Sequence, residues 1–337
     1  MRALVIGGTG FVGLNIVDEL LAKGAEVRVS RRAQSITMLV RRRAVSFVEA
    51  SLEEPEKLRR AMDGCDVVFL AGAPYPRYSI DLSASLEEGT RCVRNACDAA
   101  HAASIPRLVY TSTIATLDHV SGRPACEDDV PASMPEGSVY RAMKWAMERE
   151  VDDARRRGLD AVTLLPGGCI GPGDLRVGTA SVIVGVIRGM LTWWVDGMVN
   201  LVDVGDVARA HLAAAAPTPH DRYALAGHTV RVRDLLEKIA QRYGGTLPSL
   251  ELGAEEARAR SLADEIAAAP RRERVSIPRE LVDMATTGQV VSNARATADL
   301  GFSPTPLDDA LDRAHAWLSR FSILPKQETE RRTHDHG

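Results

Sequence analysis

The sequence predicts an α/β fold, a doubly wound parallel sheet with a smaller C-terminal lobe. Three observations predict it. Short apolar runs alternate with stretches of helical period from residue 3 to residue 166. The first run, Ala3–Ile6, passes directly into a glycine-rich turn and then a helix. After Pro166 the alternation loosens, and glycines and a Trp193-Trp194 pair interrupt it. Strict strand–helix alternation calls for right-handed crossovers, which make the strands parallel.

Taken in order, Ala3–Ile6 is a buried strand, and Phe11, Val12, Leu14, Ile16, Val17, Leu20 and Leu21 form a helical stripe that stops at Gly24. Glu26–Ser30 and Ser46–Glu49 are the next strands, Pro55–Met62 a short helix, and Asp66–Ala71 an apolar fourth strand. Ser85–Ala103 is a helix, Leu108–Thr111 a strand, Ser138–Arg157 a helix, and Ala161–Leu165 a strand ending at Pro166. Beyond it, an apolar helix falls near Ser181–Leu191, and Asn200–Asp203 with helix Asp206–Ala216 reads as a return to the sheet. His220–Gly245 offers a strand and a helix, Glu255–Ala268 a charged helix, and Leu307–Phe321 a final amphipathic one. The division that follows is a main domain over 1–165, rejoined by 199–216, and a second lobe over 166–198 and 217–325. The polar tail, 326–337, is expected to be disordered, with His334-Asp335-His336 a loose end rather than a metal site.

The chain's 337 residues suffice for one large α/β unit or two lobes. Hydrophobic residues at 45% and charged residues at 26% are ordinary for a globular protein, and a net charge of −3 speaks against nucleic acid as a partner. Arginines cluster at Arg41–Arg43 and Arg155–Arg157, but carboxylates flank them, as on solvated helix faces. The five cysteines are scattered without Cys-x-x-Cys, so neither a disulfide framework nor a metal site is expected. No apolar run is long enough to span a membrane, and Met1-Arg2 leads at once into the first strand without a signal peptide. A cytoplasmic enzyme is expected.

Two motifs carry chemistry. Gly7-Gly8-Thr9-Gly10-Phe11-Val12-Gly13 follows a strand and opens a helix, so its backbone N–H groups and the helix N-terminus can cradle a pyrophosphate. The second strand runs out into Arg31-Arg32 with no carboxylate, which suits a ribose 2′-phosphate and favours NADP(H) over NAD(H). Later, Tyr140 and Lys144 stand one helical turn apart, a phenol and an ammonium on one face. Together the two motifs suggest an enzyme that moves hydride and proton in one step.

With these residues in place, the chain resembles the extended short-chain dehydrogenases/reductases, the NAD-dependent epimerase/dehydratase family. Within it the chain is similar to the branch of dihydroflavonol reductases, 3β-hydroxysteroid dehydrogenases and hopanoid-associated epimerase-like proteins. The resemblance rests on the glycine turn, Asp66-Val-Val-Phe-Leu-Ala-Gly-Ala, Val109-Tyr-Thr-Ser-Thr, Tyr140-x-x-x-Lys144, Pro166 with Ile170-Gly-Pro, and Val204-Gly-Asp-Val-Ala. It covers about residues 1–320 and implies a Rossmann domain.

The resemblance implies that Tyr140 is the general acid/base and that Lys144 lowers its pKa from an ordinary ~10 while bonding the nicotinamide ribose. It gives Thr113 the substrate oxygen, with Ser112 as fallback. The cofactor-binding set is then Gly7, Thr9, Gly10, Phe11, Val12, Gly13, Arg31, Arg32, Ser51, Leu52, Ala71, Gly72, Ala73, Thr111, Tyr140, Lys144, Pro166, Gly168 and Cys169. Tyr75, Tyr78, Gly167, Trp193 and Trp194 form the expected substrate wall, whose aromatic character suits a hydrophobic ketone. A homodimer is implied, joined by helices near 85–103 and 138–157. Cys92, Ala96, Ala99, Ala142, Trp145 and Ala146 form either that seam or packing on the sheet.

Departures from the family pattern narrow the reading. Ala50-Ser51-Leu52 stands where an adenine-binding Asp is usual, and Pro166-Gly167-Gly168-Cys169 where many sugar-nucleotide enzymes carry an Asn. Thr113 is followed by Ile114-Ala115, so the Asp-Glu pair of sugar dehydratases is missing. The expected function is an NAD(P)H-dependent ketoreductase or alcohol dehydrogenase acting on a hydrophobic, aromatic or polycyclic carbonyl compound of secondary metabolism. The alternatives are a nucleotide-sugar epimerase with tightly bound NAD and a non-catalytic sensor of the same fold.

Overall fold

The computed structural model describes residues 1–324 apart from Arg77 and Gln289. The tail expected over 326–337, with its histidines, lies outside the described residues. The first half of the chain runs β1 (Arg2–Ile6), α1 (Phe11–Ala22), β2 (Glu26–Arg31), β3 (Val45–Glu49), α2 (Pro55–Met62), β4 (Val67–Leu70), α3 (Leu82–Ala102), β5 (Leu108–Thr111), α4 (Val139–Arg156) and β6 (Ala161–Pro166). It continues through β7 (Gly168–Ile170), α5 (Ser181–Ile187), β8 (Trp193–Val195), β9 (Met198–Asp203), α6 (Val204–Ala213), β10 (Arg222–Leu225), β11 (His228–Arg231) and α7 (Val232–Tyr243). The last elements are β12 (Leu250–Leu252), α8 (Ala254–Ala268), α9 (Arg279–Thr287), α10 (Ala294–Leu300) and α11 (Leu307–Arg320).

Seven parallel strands form the main sheet in the order β10-β6-β5-β4-β1-β2-β3. Strand alternation divides its side chains between two cores. Leu4, Ile6, Val68 and Leu70 pack under α2, α3 and α4, while Ala3, Val5, Val67 and Phe69 pack under α1 and α6. The strand order reverses between β1 and β4, the place where a doubly wound sheet opens a crevice at its carboxyl edge.

Two further sheets build the lobe above that edge. One has the order β11-β9-β7, the other pairs β12 with β8. The strand expected over Asn200–Asp203 therefore exists but does not return to the main sheet. β9 pairs with β7 and β11, and the seventh main strand is β10, which adds to β6. Helix α6 alone returns, packing with α1 on the sheet face. α9 and α10 fall in a stretch where no element was expected.

The arginine clusters are solvated ion-pair faces. Arg43 pairs with Asp18, Arg155 with Asp152, Arg156 with Asp153, and Arg157 with Asp98. Cys92, Ala96 and Ala99 are buried in the core between α3 and the sheet, and Ala142 is 1% exposed, so these four pack within the chain rather than on an open seam. Among the described residues no helix is long and apolar enough to cross a membrane, and no three metal-ligating side chains come together.

Candidate active site

The glycine turn lies over the crevice. Gly7 has φ +90°, and a Cβ there would stand 2.4 Å from the Gly72 Cα, so the turns after β1 and β4 touch through bare backbone. A Cβ on Gly13 would stand 2.2 Å from the Gly7 carbonyl oxygen. α1 starts at Gly10 without a side-chain cap and without an acidic residue in its first turn. Its leading N–H groups are left for a ligand, at the positive end of the helix dipole. Bare backbone and uncommitted donors together fit a pyrophosphate.

Arg31 ends β2, and its guanidinium lies 6.0 Å over the Phe47 ring of β3. The Arg32 N–H donates to the Ser35 hydroxyl at 2.9 Å, and its side chain is exposed. Among the described residues neither guanidinium has a carboxylate partner. The Ser51 hydroxyl accepts from the Glu53 N–H at 3.3 Å, and the Leu52 carbonyl accepts from Asn95 Nδ2 at 2.8 Å. Both follow β3 at the same edge as Ala71, Gly72 and Ala73 after β4.

Tyr140, Lys144 and Glu148 recur every four residues on the buried face of α4, which begins at Ser138 with the serine hydroxyl accepting from the Arg141 N–H at 3.3 Å. The Thr113 side chain stands close enough to the Tyr140 phenol to favour its charged form. The Lys144 ammonium lies 5.8 Å from the Tyr110 ring centroid and, among the described residues, makes no hydrogen bond or ion pair. Burial pushes Lys144 down to about 8, against the pull of Glu148 and Glu280. An unpartnered ammonium with 8% exposure fits a ligand hydroxyl, as on a ribose.

The phenol behaves differently from the sequence expectation. Burial first, and then the carboxylate of Glu280, push Tyr140 above its ordinary value, while the Thr113 side chain pulls it down. A phenol so placed keeps its proton at neutral pH, the state a proton donor needs.

Thr113 and its neighbours divide the labour. Ser112 donates instead to Glu148, where Thr116 also donates at 2.7 Å and Arg222 from β10 closes a buried ion pair. Ser112 is thus turned away from Tyr140, and the fallback role does not fit its geometry. The Thr111 hydroxyl is held 2.7 Å from His211 Nε2. Nδ1 of that imidazole lies 2.8 Å from the Val207 carbonyl oxygen and must donate to it, so Nε2 accepts from Thr111. Burial holds His211 down at about 4, hence neutral. Only the Thr111 backbone remains for the site.

After β6, a Cβ on Gly167 would stand 2.3 Å from Asn200 Oδ1. The Asn200 side chain accepts from the Gly227 N–H at 2.9 Å and donates to Thr229 at 3.0 Å, so it locks β9 to the β10–β11 turn and β11, with the bare backbone of Gly167 lying against it. The Cys169 thiol reaches the Gly167 carbonyl at 3.6 Å, and burial pushes it up to about 12.

On the substrate side, Tyr75 packs on Tyr140 with ring centroids 5.3 Å apart and a 54° tilt. Its side chain is 56% exposed, yet its hydroxyl turns inward to donate to Glu280. Tyr78 donates to the Glu273 carbonyl at 2.7 Å. Both tyrosines thus join the loop after β4 to the α8–α9 segment. Glu265 adds a staple, accepting from the Ser79 N–H at 2.7 Å and the Arg279 N–H at 2.9 Å.

The tryptophans do not form the expected wall. Trp193 is 4% exposed in a core with Val195, Leu252, Ala257 and Val282, and Trp194 packs on a second core of α5, α7 and α11. Neighbours on a strand point to opposite faces, so one pocket could not have received both. Sequence reasoning missed Glu148, Arg222 and Glu280. Glu148 was within reach, one turn beyond Lys144 on the same stripe. Pro278 and Gly288, bracketing Arg279–Thr287, are the start and stop signals that mark the helix carrying Glu280.

Comparison with known proteins gives the family. The model of the NAD dependent epimerase/dehydratase family matches residues 3–226. A protein of Synechocystis sp. that carries the name of a dihydroflavonol 4-reductase is 29% identical over 331 residues, 96% of each chain. The 4-hydroxy-2-methyl-3-oxo-4-farnesyl-3,4-dihydroquinoline-1-oxide ketoreductase of Stigmatella aurantiaca is 29% identical over 253 residues, 72% of this chain and 74% of its own. The crystal structure of a nucleoside-diphosphate-sugar epimerase from Pseudomonas aeruginosa superposes with a TM-score of 0.80 at 26% identity, covering 96% of this chain and 99% of that one. Glycine turn, Tyr140–Thr113 contact, buried Lys144 and family match converge: the chain belongs to the NAD-dependent epimerase/dehydratase family, in the extended short-chain dehydrogenase/reductase branch, and is an NAD(P)-dependent oxidoreductase.

Proposed function

We propose that the protein is an NADP(H)-dependent ketoreductase for a hydrophobic carbonyl compound, with Tyr140 as the general acid. The observation that carries the reading is the Tyr140–Thr113 contact beside an unpartnered Lys144, just past the carboxyl end of β5. Bound there, a reduced nicotinamide supplies the hydride. Thr113 and Tyr140 hold the carbonyl oxygen from two donors, so negative charge developing on it meets hydrogen bonds already in place. Tyr140 gives up its proton to that oxygen, and Lys144 stabilises the phenolate left behind. The reductase names of the relatives support this reading, and the Tyr75 ring supplies an apolar surface beside Tyr140.

Arg31 and Arg32 carry the preference for a 2′-phosphate. The homodimer implied by the family is retained as part of the proposal, with Trp145 and Ala146 half-buried on α4. The competing reading, an epimerase, keeps its NAD through the whole cycle. Denaturing the freshly purified protein and weighing any released dinucleotide separates the two. The proposal expects a site that exchanges cofactor and binds NADPH at least about tenfold more tightly than NADH, the value of one bidentate charged contact. Stoichiometric NAD that does not exchange would replace it with the epimerase.

A further inference from the structure

Every side chain placed at the reacting carbonyl is a hydrogen-bond donor: the Tyr140 phenol, the Thr113 hydroxyl and the Lys144 ammonium. Two carboxyl groups act on them, Glu148, whose oxygens are taken up by Ser112, Thr116 and Arg222, and Glu280. Glu280, in the first turn of α9, is 5% exposed, and its charge acts on both Tyr140 and Lys144. Among the described residues its single hydrogen-bond donor is the Tyr75 hydroxyl, whose ring lies against Tyr140.

A buried carboxyl group with so few partners costs stability. Docking of α9 does not require it. Glu265 holds the N-terminus of α9 with one oxygen and the loop after β4 with the other, Arg279 donates to the Gly137 carbonyl at 2.9 Å, and Tyr78 holds the preceding segment. Glu280 is therefore one of several links on α9, and the one whose carboxyl group acts on Tyr140 and Lys144.

We infer that Glu280 is a specificity residue that accepts a hydrogen bond from a hydroxyl group standing close to the substrate's reacting carbonyl, so that the preferred substrates are hydrophobic hydroxy ketones. The inference rests on the ketoreductase reading above and names its substrate class. A hydroxyl fits better than an ammonium, because Lys144 already places positive charge beside the same carboxyl group. When the substrate binds, its hydroxyl either joins Tyr75 at the carboxyl group or displaces the Tyr75 hydroxyl from it. A site built around a substrate hydroxyl rejects the analogue that lacks it, since the buried acceptor is then left short of a donor.

The test uses the full-length protein with NADPH and two matched pairs of ketones, benzoin against deoxybenzoin and 2-hydroxyacetophenone (hydroxyl on the carbon beside the carbonyl) against acetophenone. Wild type is expected to show a kcat/KM ratio, hydroxylated over plain, of at least about tenfold. Glu280→Leu, which removes the acceptor at similar volume, should bring that ratio toward one. A role limited to latching α9 would lower both members of a pair alike and leave the ratio standing, which overturns the inference. Tyr75→Phe provides the second arm, because it frees the carboxyl group without removing it, so the ratio should hold or rise. A ratio that collapses in Tyr75→Phe assigns recognition to the tyrosine and overturns the role of Glu280. Equal use of both members by wild type rejects the inference while leaving the ketoreductase standing, whereas turnover of no ketone at all rejects both.

Discussion

Lys144 and Glu280 are both ionisable, both buried, and displaced in opposite directions from their ordinary values. Burial lowers Lys144 to about 8 and raises Glu280 to about 7. For Glu280 the folded protein binds more protons than the unfolded chain between pH 4.5 and about 7. Its contribution is therefore fully present at low pH and is lost as pH rises through that window. Glu280→Gln removes the penalty while keeping an acceptor for Tyr75. Thermal unfolding should then find the variant gaining on wild type between about pH 5 and about pH 8, by up to about 3 kcal/mol. A difference that does not change with pH would show that no proton is taken up at this site.

The same residues show where sequence reasoning holds and where it fails. Tyr140 and Lys144 were legible because their pairing is local: helix geometry alone puts i and i+4 on one face. Glu280 was not, because the contact that matters joins α9 to the loop after β4, and no local spacing encodes it. Trp193 and Trp194 misled because aromatic content was read as a pocket wall, although their strand sends the two rings into separate cores.

Among the elements, α4 does the most work, with one stripe carrying the phenol, the ammonium and the carboxylate of Glu148. That carboxylate is 1% exposed and pairs with Arg222, itself 8% exposed, which ties α4 to β10 beneath the site. Removing one partner leaves a buried charge alone. Glu148→Ala should cost about 3–5 kcal/mol in chemical denaturation. A loss below about 1 kcal/mol, the level of an exposed pair, would contradict this account of the ion pair. At the glycine turn, Gly13→Ala places a methyl group against the Gly7 carbonyl oxygen, the closest approach in the cradle to an acceptor. The turn must open, so NADPH titration should show affinity falling by at least about tenfold, with the fold intact by circular dichroism. Unchanged affinity would mean the dinucleotide does not lie on this turn. β9 teaches the converse lesson: its strand character is plain from Asn200–Asp203, but which sheet it joins depends on β7 and β11 and is written in no single segment.

Across the whole molecule, the seven-stranded sheet supplies a fixed floor and the lobe supplies a roof, with Asn200 locking β9 to the turn between β10 and β11 and Glu265 locking α8 and α9 to the loop after β4. Strand–helix alternation made the floor legible, because each crossover is a local event. The roof was far less so, since its short strands and helices gain their places from contacts between distant segments. Floor and roof converge on one phenol.

The most direct measurement is therefore the turnover of an aromatic ketone with NADPH by Tyr140→Phe, alongside NADPH titration of the same variant. The account predicts loss of roughly a hundred- to ten-thousand-fold in kcat, the range for a general acid, with cofactor affinity retained. A variant that binds NADPH and still reduces the ketone at close to the wild-type rate would contradict it.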